Sequence, residues 1–219
     1  MSEFVAKDLD RRRFLYEVGS TLAVLPLLSA CSVGTVAQGE SSVLAKLRRN
    51  ALPIGGEWSG AIEAPADVSW RTELPVTKGD GDRIRIAGTV FASDGKTPSP
   101  NTLIYFYHTD KFGIYGRGNE HKHGRYRGWL LTDEKGRYEF SSIRPASYPN
   151  STQSQHIHMT VTTLDKREDW IDSILFEGDR FITSRERQES GKRGGFQPIV
   201  TLTKGSDEIM TATRDILIS

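Results

Sequence analysis

From Arg83 to Ile218 the chain is cut into short apolar runs by turn residues at close intervals, and this cadence limits the fold more than any other feature. Ile84 and Ile86 alternate with polar residues, and residues 88–91 run apolar. Ser93-Asp94-Gly95-Lys96 is a turn with glycine where a positive φ is needed, and Pro98 and Pro100 mark a loop before the strand at 103–107. Residues 128–132 run into Asp133-Glu134-Lys135-Gly136, a tight hairpin signal, after which Arg137-Tyr138-Glu139-Phe140 alternates with Tyr138 and Phe140 inward. Further strands are predicted at 171–176, 199–203 and 215–218, residues 191–195 read as a mobile glycine-rich loop, and no long amphipathic helix is legible in this half. Many short strands at regular spacing predict an all-β chain built as an antiparallel β-sandwich. The 219 residues suffice for one domain with a sizeable core.

The most informative chemistry lies between Tyr148 and His158. A tyrosine beside Pro149 is followed by His156-Ile157-His158, and the β-branched residues after Met159 predict a strand. Successive strand side chains point to opposite faces, so His156 and His158 share one face while Ile157 takes the other. Two imidazoles on one face with a phenol entering from the preceding turn can form half or more of a metal site; the bland alternative is a polar strand end with two solvated histidines. A second pair, His121-Lys122-His123, lies in the polar run 118–126, which reads as a solvated loop or, failing that, as the mouth of the site.

Elsewhere the chain is less specific. Charged residues make up 26%, the net charge is +1, and no clustered basic excess suggests a nucleic-acid partner. The single cysteine, Cys31, rules out an internal disulfide framework. Asp10-Arg11-Arg12-Arg13-Phe14-Leu15 looks like a twin-arginine export signature, and the apolar stretch 18–30 after it is too short to span a bilayer as a mature helix. It ends in Leu28-Ser29-Ala30-Cys31, which resembles a bacterial lipoprotein box, so lipidation of Cys31 would hold an exported protein at the membrane of the cell envelope, periplasmic or at the cell surface. The expected organisation is a signal peptide over 1–31, a tether and irregular arm over 32–82, and a sandwich over 83–219; residues 44–47 form at most a helical turn, and 52–78, with Trp58 and Trp70, carry no assigned chemistry.

In order, Phe112-Gly113-Ile114-Tyr115, Arg127-Gly128, Thr132-Asp133, Ile143-Arg144-Pro145, Tyr148-Pro149, His156-Ile157-His158 and Phe176-Glu177-Gly178-Asp179 resemble the intradiol ring-cleavage dioxygenases, the family of the protocatechuate 3,4- and catechol 1,2-dioxygenases. The resemblance covers about 83–180. It implies a transthyretin-like sandwich and a mononuclear non-haem iron(III) centre held by Tyr115, Tyr148, His156 and His158, with a solvent hydroxide and with Tyr148 as the ligand that leaves. Hard phenolates favour Fe(III), and imidazoles are compatible with it. The implied reaction opens a catechol-type diol with O2 to a muconate-type diacid.

Two departures accompany it. Where the family places an arginine three residues before the first ligand histidine, this chain has Gln153, and a second-shell glutamine of the family is replaced by Ser173. An amide donates without charge, so another cation would have to stabilise the electron-rich ring. Arg125, Arg127 and Arg144 are the candidates, with Arg127 in the matching Arg-Gly pair. Two alternatives follow: an envelope lipoprotein that binds a metal or a catecholate without turnover, and a structural sandwich with no metal.

Overall fold

The computed structural model describes residues 41–52, 60–118, 120–205 and 207–218. The twin-arginine run, the apolar stretch, Cys31 and Trp58 lie outside the described residues. Two sheets face each other. The strands are β1 (Arg71–Glu73), β2 (Arg83–Phe91), β3 (Leu103–Tyr107), β4 (Arg127–Leu131), β5 (Arg137–Ile143), β6 (His156–Thr162), β7 (Asp169–Phe176), β8 (Ile199–Val200), β9 (Thr203–Lys204), β10 (Met210–Thr213) and β11 (Ile216–Leu217). One sheet runs β1-β5-β2-β10-β9 with β11 also paired to β2, and the other runs β4-β3-β6-β7-β8. The long pairs β2–β5, β3–β4, β3–β6 and β6–β7 are antiparallel. The short strands β1, β8, β10 and β11 add in parallel to longer neighbours.

Alternation places the core. Ile84, Ile86 and Val90 of β2 and Tyr138 and Phe140 of β5 meet Ile104 and Phe106 of β3 and Ile157, Met159 and Val161 of β6. Phe106 stacks on Phe140 with ring centroids 4.0 Å apart, a contact worth about 0.5–1.5 kcal/mol beyond its buried area. The predicted turn at 133–136 forms, with Gly136 N–H donating to Asp133 O at 2.9 Å and Gly136 at φ 70°. It is not a hairpin, however, because β4 and β5 part into different sheets. The turn signal is local, whereas sheet membership is decided by where each strand buries its apolar face.

The outer face of the second sheet is covered as well. Helix α1 (Ser42–Arg49) is capped by Ser41, whose side chain accepts Leu44 N–H at 3.1 Å, and places Lys46, Arg48 and Arg49 in its last turn, where the helix dipole favours cations. Its Leu44 and Leu47 pack with Ala61, Ala64 and Leu103 of β3. Glu168, 3% exposed, fastens this arm: its carboxylate accepts N–H groups of Leu52, Gly60 and Ala61 and the Thr160 hydroxyl. With both faces covered, every residue of β6 is buried. Helix α2 (Ser184–Glu189), opened by a Thr183–Glu186 capping box, was not legible as a helix because it is only six residues long. The 191–195 segment is packed rather than mobile, since its backbone carbonyls at 194 and 195 receive the guanidinium of the fully buried Arg214. Among the described residues no helix is long and apolar enough to cross a membrane.

Candidate metal centre

Strand β6 sets the first two donors. Its odd residues, Ile157, Met159 and Val161, enter the core, which turns His156, His158 and Thr160 to the outer face. The rings of His156 and His158 meet edge to face with Nε2 atoms 3.0 Å apart. His156 Nδ1–H donates to the Ser154 carbonyl at 2.7 Å, which fixes the tautomer and leaves the Nε2 lone pair pointing at its neighbour. Ser173 Oγ lies 3.2 Å from His158 Nδ1.

Two loops bring the phenols. Tyr115 lies between β3 and β4, and Tyr148 between β5 and β6. Asp110 ties the first loop, its Oδ1 accepting Phe112 and Ile114 N–H and its carbonyl accepting Ala146 N–H from the second. Gly113, at φ 78°, allows the approach: a Cβ there would fall 2.0 Å from Ser147 O. Tyr115 Oη is then 2.6 Å from Tyr148 Oη, and Tyr148 Oη is 3.1 Å from His156 Nε2. Donors bound at about 2 Å to one ion sit about 3 Å from one another, which is the spacing of this set.

Among the described residues no group of three or more His, Cys, Asp or Glu could hold a metal. The donor set here is two imidazoles and two phenols, and its electrostatics suit a hard cation. Burial, with help from His156, His123 and His108, lowers the pKa of His158 to about 2, and burial also lowers that of His156, so both rings are neutral and each keeps a lone pair able to bind a cation. Burial and the hydrogen bond from Tyr148 raise the Tyr115 phenol far above its usual value, so ionising it requires a strong positive charge alongside.

The remaining expected residues divide. Gln153 lines, with His156, His158 and Ser173, a cavity of about 220 Å³. Arg127 does not reach it. It shares the sheet face of His158, but Tyr107 of β3 stands between them, about 10 Å of strand spacing intervenes, and its guanidinium pairs with Glu63 at 2.9 Å over Trp129. Arg125 pairs with Asp80, and Arg144 donates to Gln155 across the Phe176 ring. None of the three arginines belongs to the cavity lining.

His123 departs from the solvated loop expected for it. It is 4% exposed, stacks on Tyr107 at 3.8 Å and 6°, and places Nδ1 2.6 Å from Tyr105 Oη. Tyr107 is thereby wedged between His123 and His158. His121 stays nearer the surface, 3.4 Å from Glu63.

Sequence reasoning missed the acidic side of the cavity: Asp172, Glu186 and Glu189. The register of β7 holds the signal. Ile171 and Ile174 both enter the core although three positions apart, which an uninterrupted strand forbids. A bulge opposite His158 resolves the conflict and turns both Asp172 and Ser173 to the cavity.

A family model described as "Dioxygenase" matches residues 62–216. Chlorocatechol 1,2-dioxygenase of Rhodococcus opacus is 30% identical over 139 residues, 55% of this chain and 51% of the relative. The protocatechuate 3,4-dioxygenase beta chain of Burkholderia cepacia is 31% identical over 96 residues, 37% of this chain and 39% of that one. The chain thus spans about half or less of the curated relatives it matches. Among solved structures, catechol 1,2-dioxygenase of Acinetobacter sp. ADP1 aligns with a TM-score of 0.54 at 18% identity, covering 69% of this chain and 57% of that one. The dioxygenase domain of a dioxygenase–carbohydrate-binding fusion from Streptomyces sp. SirexAA-E aligns at 0.53 and 19% identity, covering 76% and 96%. At these identities the structural likeness concerns the fold.

Proposed function

Because the chain belongs to the intradiol dioxygenase family, we propose that it opens a catechol-type ring between its two hydroxyl-bearing carbons with O2, giving a muconate-type diacid. The observation that supports this most is the convergence of Tyr115, Tyr148, His156 and His158 from three separate stretches of chain, with donor contacts of 2.6–3.1 Å. These four would hold Fe(III). Bound there, the ion would supply Lewis acidity that favours the ionised, electron-rich form of a diol.

The chain's own contributions are positional. Ser154 and Ser173 orient the two imidazoles, and Ser154 is itself held by Glu186, its hydroxyl donating to Oε1 at 2.6 Å. Tyr148 precedes the exposed Pro149 and Asn150, whereas the Tyr115 ring is packed on Tyr107 and His158. Tyr148 is therefore the phenol that swings aside for the diol, its Oη taking up a substrate hydroxyl proton. Gln153 donates an amide hydrogen bond to the ring's oxygens, and Leu175, Pro198 and Trp170 give the ring an apolar wall. Arg127 acts at a distance, holding Glu63 and the covering arm in place.

In the cell, we place the protein at the bacterial envelope, exported through the twin-arginine motif and held by a lipidated Cys31. One observation favours a second reading, a catecholate-binding lipoprotein without turnover: the cavity lining contains no arginine. Purified protein should bind one iron, absorb in the visible through tyrosinate-to-iron charge transfer, and consume O2 with catechol to give a ring-opened acid. Tyr148→Phe should weaken the band. A colourless protein with stoichiometric zinc overturns the proposal, and a coloured one whose spectrum responds to catechol without O2 uptake selects the second reading.

A further inference from the structure

The wall of the cavity beside His156 and His158 carries a charge pattern that bears on which ring it admits. Among the described residues its lining includes the carboxylates Asp172, Glu186 and Glu189 and no lysine or arginine. Resting on the reading above, we propose that the site selects diols whose ring bears an ammonium arm and disfavours those whose ring bears a carboxylate.

Each carboxylate is held where it stands. Asp172 Oδ2 accepts N–H from Gly191 at 2.9 Å and Arg193 at 3.1 Å, and the buried Arg214 guanidinium acts on it electrostatically, so Asp172 is anchored and contributes the smaller share of the field. Glu186 accepts from Ser154 Oγ at 2.6 Å and from Thr183 N and Oγ1 at 2.7 and 2.8 Å, all neutral donors. Glu189 lines the cavity and pairs with Arg185 at 3.2 Å and Lys192 at 3.6 Å on its exposed side, where solvent screens both pairs. A cleft lined by one sign of charge concentrates ligands of the other sign. At an effective dielectric near 20, one carboxylate within about 8 Å of a substituent charge changes affinity roughly tenfold after screening. The neutral Gln153 and Ser173 do not oppose this field.

The test uses the iron-loaded full chain and three rings of similar size: 3,4-dihydroxybenzylamine, 3,4-dihydroxybenzoate and 4-methylcatechol. Binding is read from the change in the visible band and by calorimetry under argon, so turnover is not required. The amine should bind at least tenfold more tightly than the benzoate, with the methyl compound between them. Because the rings differ in intrinsic acidity, the deciding quantity is the change in the amine-to-benzoate affinity ratio on Glu189→Lys, which should fall about tenfold. Should that variant not fold, Asp172→Asn, which keeps an oxygen for Gly191 and Arg193 N–H, carries the same comparison with a smaller fall. An unchanged ratio, or a benzoate that binds as tightly as the amine, overturns the proposal and leaves the dioxygenase reading intact. Failure of all three diols to bind overturns both.

Discussion

Gly113→Ala isolates the contact on which the proposed metal centre depends. The glycine has φ 78°, and a Cβ at this position would lie 2.0 Å from the Ser147 carbonyl oxygen and 2.8 Å from its carbon. These are backbone atoms one residue from Tyr148, so relief comes only by separating the two loops. The left-handed backbone costs about 1–2 kcal/mol and the overpacking about 1–3 kcal/mol more, together about 2–5 kcal/mol. Gly79→Ala is the control: its φ is 95° and nothing lies within 4 Å of the added carbon, so it bears only the backbone cost of about 1–2 kcal/mol. For a chain of this size each kcal/mol moves the melting temperature by about 2–4 °C, so the control should lose roughly 2–8 °C and Gly113→Ala roughly 4–20 °C. Melting of the metal-free proteins by circular dichroism gives these values, and iron stoichiometry with the visible spectrum gives the second readout. The control should retain iron and its colour, whereas Gly113→Ala should lose affinity at least tenfold as Tyr115 Oη and Tyr148 Oη separate. Equal iron affinity in the two variants would refute the argument that this close approach sets the donor geometry.

Three further outcomes are expected. His108 is fully buried between Thr109 O and Ser142 Oγ, and burial lowers its pKa from 6.5 to about 4, so the unfolded chain binds more protons between those values. His108 should therefore contribute a loss of about 3 kcal/mol to the metal-free protein as pH drops from 6.5 towards 4, on top of the losses from the depressed pKa values of His156 and His158, and His108→Asn should remove that share in urea titrations. Glu168→Ala leaves the buried Gly60 and Ala61 N–H groups and the Thr160 hydroxyl without an acceptor, at about 1–3 kcal/mol each, and should open the chain at Gly60 and Ala61 to proteolysis before the sandwich unfolds. Cys31→Ala should move the exported protein from the membrane fraction to the soluble one; retention would remove the proposed anchor.

Strand identity and the shared face of the two histidines were legible because both rest on local rules, whereas the assignment of Tyr115 and Tyr148 as ligands came only from the family resemblance. Alternation in 156–162 put His156 and His158 on one face, and the core of Ile157, Met159 and Val161 agrees. Features set by tertiary choice were not legible. The turn at 133–136 looks the same whether its strands pair or part. His123 resembles any loop histidine until Gly124, at φ 68°, folds the chain against Tyr115 O and the imidazole finds Tyr107. Arg127 matched the family pattern, yet its charge was already committed to Glu63, a residue of the arm to which the sequence assigned no chemistry. The bulge in β7 was readable from the three-residue spacing of Ile171 and Ile174, but only once both were known to be inside.

That one surplus residue in β7 gives this wall two side chains where a regular strand would supply one. Substitutions at 172 and 173 can retune the cavity one side chain at a time. Removing either residue 172 or 173 would bring Ile171 and Ile174 to the two-residue spacing of regular pairing with both still inside, and would leave one side chain instead of two facing His158. Anyone reshaping this scaffold for new rings can therefore alter the wall in two ways, by exchanging a side chain at 172 or 173 or by taking the surplus residue out.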